Sequence, residues 1–88
     1  MKEGSYMLIR PGMNVVGPEG RAGSVSEVVA DSAVDVFRGI VVAHGLMGRR
    51  AFVDQSHVVA VVDDTVEIDL TPAEVGALPE AATVAQAS

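Results

Sequence analysis

Residues 37–70 read Phe-Arg-Gly-Ile-Val-Val-Ala-His-Gly-Leu-Met-Gly-Arg-Arg-Ala-Phe-Val-Asp-Gln-Ser-His-Val-Val-Ala-Val-Val-Asp-Asp-Thr-Val-Glu-Ile-Asp-Leu. Four runs rich in branched apolar residues, each closed by a turn, constrain this chain more than anything else in it. A branched Cβ restricts χ1 and packs well on a pleated surface, so such runs favour strands. Val66-Glu67-Ile68-Asp69-Leu70 alternates cleanly, which predicts Val66, Ile68 and Leu70 inward and Glu67 and Asp69 in solvent. Ile40-Val41-Val42 is continuous instead, and predicts burial on both faces for part of that strand. Asp63-Asp64-Thr65 is a tight hairpin turn, because aspartate tolerates left-handed backbone. Asp54-Gln55-Ser56-His57 punctuates the two halves as a single helical turn.

The flanks fit the same plan. Met13-Asn14-Val15-Val16 reads as a first strand and Gly17-Pro18-Glu19-Gly20 as its turn. In the next run, 21–30, the alternation slips near Ser26 and Glu27, which predicts a β-bulge or bend, and Gly23 predicts a close backbone approach. Asp31 and Ser32 form the following turn, and 33–36 is either a loop or the start of the third strand. Thr71-Pro72-Ala73-Glu74 is a capping box with proline at the first helical position, so a short helix over 72–78 is expected, with Val75 and Leu78 laid on the barrel end and Pro79 as its stop. The 88 residues make one domain. Residues 1–9 are expected as an arm or edge strand, 10–78 as the folded domain and 79–88 as a disordered tail. The fold class is all-β: a small antiparallel barrel, closed or partly open, of about six strands with one short C-terminal helix.

Composition excludes several kinds of chemistry. There is no cysteine, hence no disulfide, thiolate metal site or redox pair. No apolar run approaches the about 18 residues of a membrane span. The N-terminal apolar segment is too short for a signal-peptide core, so a cytoplasmic location is expected. All six basic residues lie in 1–50 against five acids, whereas 51–88 holds seven acids and no base. Phosphate binding needs a clustered basic face, so the charge argues against nucleic acid as a partner.

Candidate chemistry is sparse. His44, Asp54 and His57 could hold a metal if they converged, but their spacing carries no signature, and the residues favour His44 as a turn residue and His57 as a half-exposed cap over a metal site. No serine has an activating context, and no glycine-rich phosphate loop occurs. Glu67 and Asp69 share one strand face, which a solvated surface explains. No catalytic residue, cofactor or metal is expected, and the chain is expected not to be an enzyme. The segment from His44 to Arg50 differs: Leu46 and Met47 beside Arg49 and Arg50 have the composition of a contact surface. The alternative is that Leu46 and Met47 plug an open barrel end. His44, Leu46, Met47, Arg49 and Arg50 are therefore the candidate partner-binding residues.

Gly12-Met13-Asn14-Val15-Val16-Gly17-Pro18-Glu19-Gly20-Arg21-Ala22-Gly23-Ser24-Val25-Ser26-Glu27-Val28-Val29-Ala30-Asp31 resembles the opening of a PRC-barrel domain. Gly39-Ile40-Val41-Val42, Arg50-Ala51-Phe52-Val53, the 58–61 run and Val66-Glu67-Ile68-Asp69-Leu70 follow in that family's order. The resemblance covers about residues 10–78, and extends to short stand-alone bacterial PRC-like proteins of unknown function. It departs at Pro18-Glu19-Gly20, where the family commonly has an Asp-Gly hairpin. Members occur in the photosynthetic reaction-centre H subunit and in a ribosome-maturation factor, and use the barrel to hold protein partners. The resemblance thus implies a non-catalytic protein-interaction or assembly module, partnered by another protein or by itself as a homodimer. By analogy alone, it also implies ribosome maturation with RNA as an alternative.

Overall fold

The computed structural model describes residues 8–31, 33 and 36–81. Among these, six strands form one sheet: β1 (Asn14–Gly17), β2 (Gly20–Asp31), β3 (Val36–His44), β4 (Arg49–Asp54), β5 (Val58–Val62) and β6 (Thr65–Ile68). A 3-10 turn, Gln55–His57, joins β4 to β5, and helix α1 (Pro72–Gly76) follows β6. The domain is mostly β with one short helix, as expected.

The ladder runs β4-β3-β2-β1-β6-β5. β1 to β4 form an antiparallel meander and β5–β6 an antiparallel hairpin. β1 and β6, however, pair in parallel, with Asn14 opposite Thr65 and Val16 opposite Glu67. This corrects the expected antiparallel barrel: the sheet is mixed, and its edge strands β4 and β5 are not paired to close it. The reason is the segment 54–57. The chain reverses three times between β1 and β4 and once between β5 and β6, while 54–57 turns a corner without reversing. An even number of reversals returns β6 in the direction of β1.

That corner also bends the sheet. Six strands laid flat would hold their outer members about 24 Å apart, at about 4.8 Å per spacing. The three residues Gln55–His57 reach at most roughly 14 Å between β4 and β5. The sheet must therefore curl, and the main core fills the hollow. Val15, Val25, Ile40, Val42, Ala51, Val53, Val58, Val66 and Ile68 meet there, with Val75 of α1 buried among them and Leu78 packed against them. Helix α1 begins as the capping box requires: the Thr71 hydroxyl accepts from the Glu74 amide and the Glu74 carboxylate accepts from the Thr71 amide. It ends at Gly76, two residues short of the expected limit.

Ile40, Val41 and Val42 are all fully buried, as their continuous run predicts. Ile40 and Val42 belong to the main core, while Val41 joins Val29, Ala81 and the half-buried Phe52 in a second cluster. The slip near Ser26 is present as a register shift between Val25 and Glu27, which leaves Val25 in the core and Glu27 beside Arg50. Gly23 does sit under a close approach, that of the Ala43 carbonyl.

The ends differ from expectation in part. Residues 1–7 lie outside the described residues, but Ile9 is buried in the main core. The tail expected from residue 79 begins ordered, which is a correction. Glu80 bridges Ala51, and the Ala81 amide donates to the Arg50 carbonyl at 2.8 Å. Ala81 is buried because it covers Val41 and Val29 on the sheet's outer side. Residues 82–88, and 32, 34 and 35 of the β2–β3 connection, are outside the described set.

Phe52 lies across Gly39, its diagonal neighbour on β3, so a Cβ at Gly39 would collide with the ring and with the Val53 carbonyl. Gly39→Ala should cost about 1–3 kcal/mol of stability. Gly76→Ala meets no atom within 4 Å and should gain up to about 1 kcal/mol. Urea unfolding of both variants checks the opposite signs.

Candidate partner-binding surface

The β3–β4 connection is built by two glycines. Gly45 and Gly48 have φ of 75° and 64°, a region open to glycine at little cost, and the Gly48 amide donates to the Gly45 carbonyl at 3.3 Å. The turn lifts Leu46 and Met47 out of the sheet, at 106 % and 88 % exposure. They do not plug the hollow, so the alternative raised by the sequence is ruled out. Burying either side chain in a partner would gain about 1.5–3 kcal/mol.

The remaining candidate residues divide. His44 ends β3 opposite Arg49, so both flank the exposed tip. Arg49 is well exposed, with its Nε 3.9 Å from the Glu80 carboxylate. Arg50 is turned to the sheet: its guanidinium donates to Glu27 at 3.2 Å and its backbone amide to Glu80 at 3.4 Å. Arg50 thus tethers β4 to β2 and to the C-terminal segment, and the tip surface narrows to His44, Leu46, Met47 and Arg49. The alternation slip at Ser26 is the one hint of the Glu27 contact in the residue pattern, and there is none of Glu80, which lies thirty residues away.

His44, Asp54 and His57 do not converge. On β3, His44 stands opposite Arg49 and Gly39 opposite Asp54, which separates the two levels by roughly 16 Å. His57 pairs with Asp69 instead, Nδ1 to carboxylate at 2.8 Å. Asp69 therefore faces His57 rather than acting with Glu67. Among the described residues, no group of three or more His, Asp or Glu side chains is arranged to hold a metal ion. A shallow hollow of about 370 Å³ lies elsewhere, lined by Arg10, Pro11, Gly12, Met13, Asn14 and Asp64.

Asp54 caps the corner. Its carboxylate accepts from the Ser56 amide at 2.9 Å. That bond, then the Ser56 hydroxyl, holds its pKa below the ordinary value against an opposing effect of burial, with the smallest contribution a downward pull from His57. No protein-family model matches the chain, and no curated protein is similar to it in sequence.

A carboxylate favoured in its charged form stabilises the fold above its unfolded pKa and stops doing so as pH falls through its lower folded pKa. Asp54→Ala should cost about 0.5–1.5 kcal/mol near pH 7, the usual loss of a capping side chain. The gap to the parent protein should shrink as pH falls below about 4. Denaturant midpoints at pH 7, 4 and 3 test this, and a gap independent of pH would contradict it.

Proposed function

We propose that this chain is a non-catalytic protein-interaction module of PRC-barrel type, acting in the cytoplasm through the tip of its β3–β4 hairpin. The observation that carries this reading is the full exposure of Leu46 and Met47 on a turn held by two glycines and an internal hydrogen bond. Two large apolar side chains held out in water gain free energy when a partner surface buries them. Arg49 and His44 beside them would give that contact a polar rim. The order of strands along the chain, the curled six-stranded sheet and the capped helix support the PRC-barrel assignment.

The arginines support a protein partner over RNA. Arg50 is paired with Glu27 and Arg49 lies near Glu80, so the compact basic pair is partly neutralised by the chain's own carboxylates. No helix among the described residues is long and apolar enough to cross a membrane.

Replacing both tip residues by aspartate tests the reading. L46D/M47D should leave the unfolding free energy in urea within about 0.5 kcal/mol of the parent protein, since both positions are solvated. Proteins captured from the native host by the tagged parent chain should be lost with this double variant. Retention of the same set at the same yield would overturn the assignment.

A further inference from the structure

Charge is placed unevenly along the fold. Residues 36–53, which hold β3, the glycine turn and all of β4 but Asp54, carry three arginines, one histidine and no acid. The rest of the chain sets the other three basic residues against all twelve acids. The β3–β4 hairpin is thus a cationic, apolar unit in a protein of net charge −6. Two of its arginines already take carboxylates from elsewhere in the chain. Arg50 holds Glu27 at 3.2 Å in a part-buried contact that belongs to the fold. Arg49 differs: its side chain is 70 % exposed, that of Glu80 is 46 % exposed, and the two stand 3.9 Å apart. An exposed pair at this distance contributes little and exchanges readily with another carboxylate. Glu80 therefore marks a place beside the tip where an incoming carboxylate would sit.

We propose that the tip's partner is an acidic segment of another protein, which receives Leu46 and Met47 in an apolar recess and sets a carboxylate on Arg49 in place of Glu80. This inference rests on the reading of the tip as an interaction surface and names the chemistry of what it meets. Leu46 and Met47 supply the apolar area to be buried. Arg49, at the start of β4, and His44, opposite it at the end of β3, supply a guanidinium and an imidazole able to donate to carboxylates. A guanidinium has five N–H donors, more than one long contact at Nε uses. One exposed arginine beside an apolar pair suits one or two carboxylates, whereas a phosphate backbone calls for a row of cations. Two copies of this chain, each at −6, repel one another at long range, which disfavours a second copy as the occupant. The acidic remainder of the chain also repels an acidic segment, so approach is favoured at the hairpin.

Panning a random peptide library displayed on phage against the immobilised full chain tests this without a known partner. The enriched peptides should combine Asp or Glu with Leu, Met, Val or Phe, and should not bind L46D/M47D. For an enriched peptide, Arg49→Glu should raise the dissociation constant in fluorescence anisotropy at least about tenfold. Glu80→Gln keeps an acceptor for the Arg50 amide but removes the competing charge, so it should tighten binding by up to about fivefold. Raised ionic strength should weaken binding to the unmutated chain, an arm that needs no variant to fold. The inference fails if the peptides that bind the tip are basic or uncharged, or if none is enriched. It fails equally if R49E or salt leaves their affinity unchanged, or if E80Q does not tighten it. Displacement of the peptide by a single-stranded oligonucleotide would assign the contact to nucleic acid and overturn it. Self-association of the parent chain that L46D/M47D abolishes would assign it to a second copy, with the same consequence. Enriched peptides that bind L46D/M47D as well as the parent overturn the reading of the tip itself, whatever their charge, which separates the two failures.

Discussion

The fold depends on a connection of three residues. Gln55–His57 ties the two outer strands of a six-stranded ladder, and that tether is shorter than the flat sheet is wide. Curling is the geometric consequence, and it gives a chain of 88 residues an inside. The corner is held by polar contacts at both ends. Asp54 accepts from the Ser56 amide, His57 pairs with Asp69, and the His57 carbonyl accepts from the Asp69 amide at 3.0 Å. The histidine and aspartate that most resemble chemistry in this sequence thus secure a joint.

The curl also makes the two faces of the sheet unequal. The inner face buries Val15, Val25, Val42, Val53, Val58 and Val66. The outer face is apolar only around Val29, Val41 and Phe52, where Ala81 covers it. Glu27–Arg50 and Arg49–Glu80 surround this patch, so the charges of β4 bind the chain to itself. Among the exposed apolar side chains of the described residues, besides Leu8 and Val36, are the Leu46–Met47 tip and Val59 and Val62 of β5. Both are apolar, and both are presented by backbone that the fold already holds fixed.

Much of this was legible from residue pattern because it is local. The hairpin at Asp63, the capping box at Thr71, the double-sided burial of 40–42 and the bulge near Ser26 each arise from neighbours in sequence. The parallel β1–β6 pair was not legible. Strand patterns carry no direction, and a corner at 54–57 looks like a reversing turn until its partners are known. The same limit hid the 80–81 segment, where Ala81 is buried with no repeating stripe in the sequence to announce it. At the candidate surface, composition singled out the tip, and Leu46 and Met47 stand exposed there. It could not separate Arg49 from Arg50, since their difference is made by Glu27 and Glu80 from distant parts of the chain.

The parallel pair has a kinetic meaning. On the hydrogen-bonded ladder, β1 against β6 is the only link between the four-stranded meander and the β5–β6 hairpin, and it joins Asn14 to Thr65. Every other strand pair in the sheet joins strands adjacent in sequence. Loop closure over such a distance is unfavourable until both partners are already formed. Of all the pairings in the sheet, β1 with β6 carries the largest loop-closure cost, and it alone joins the meander to the hairpin on the ladder of described strands.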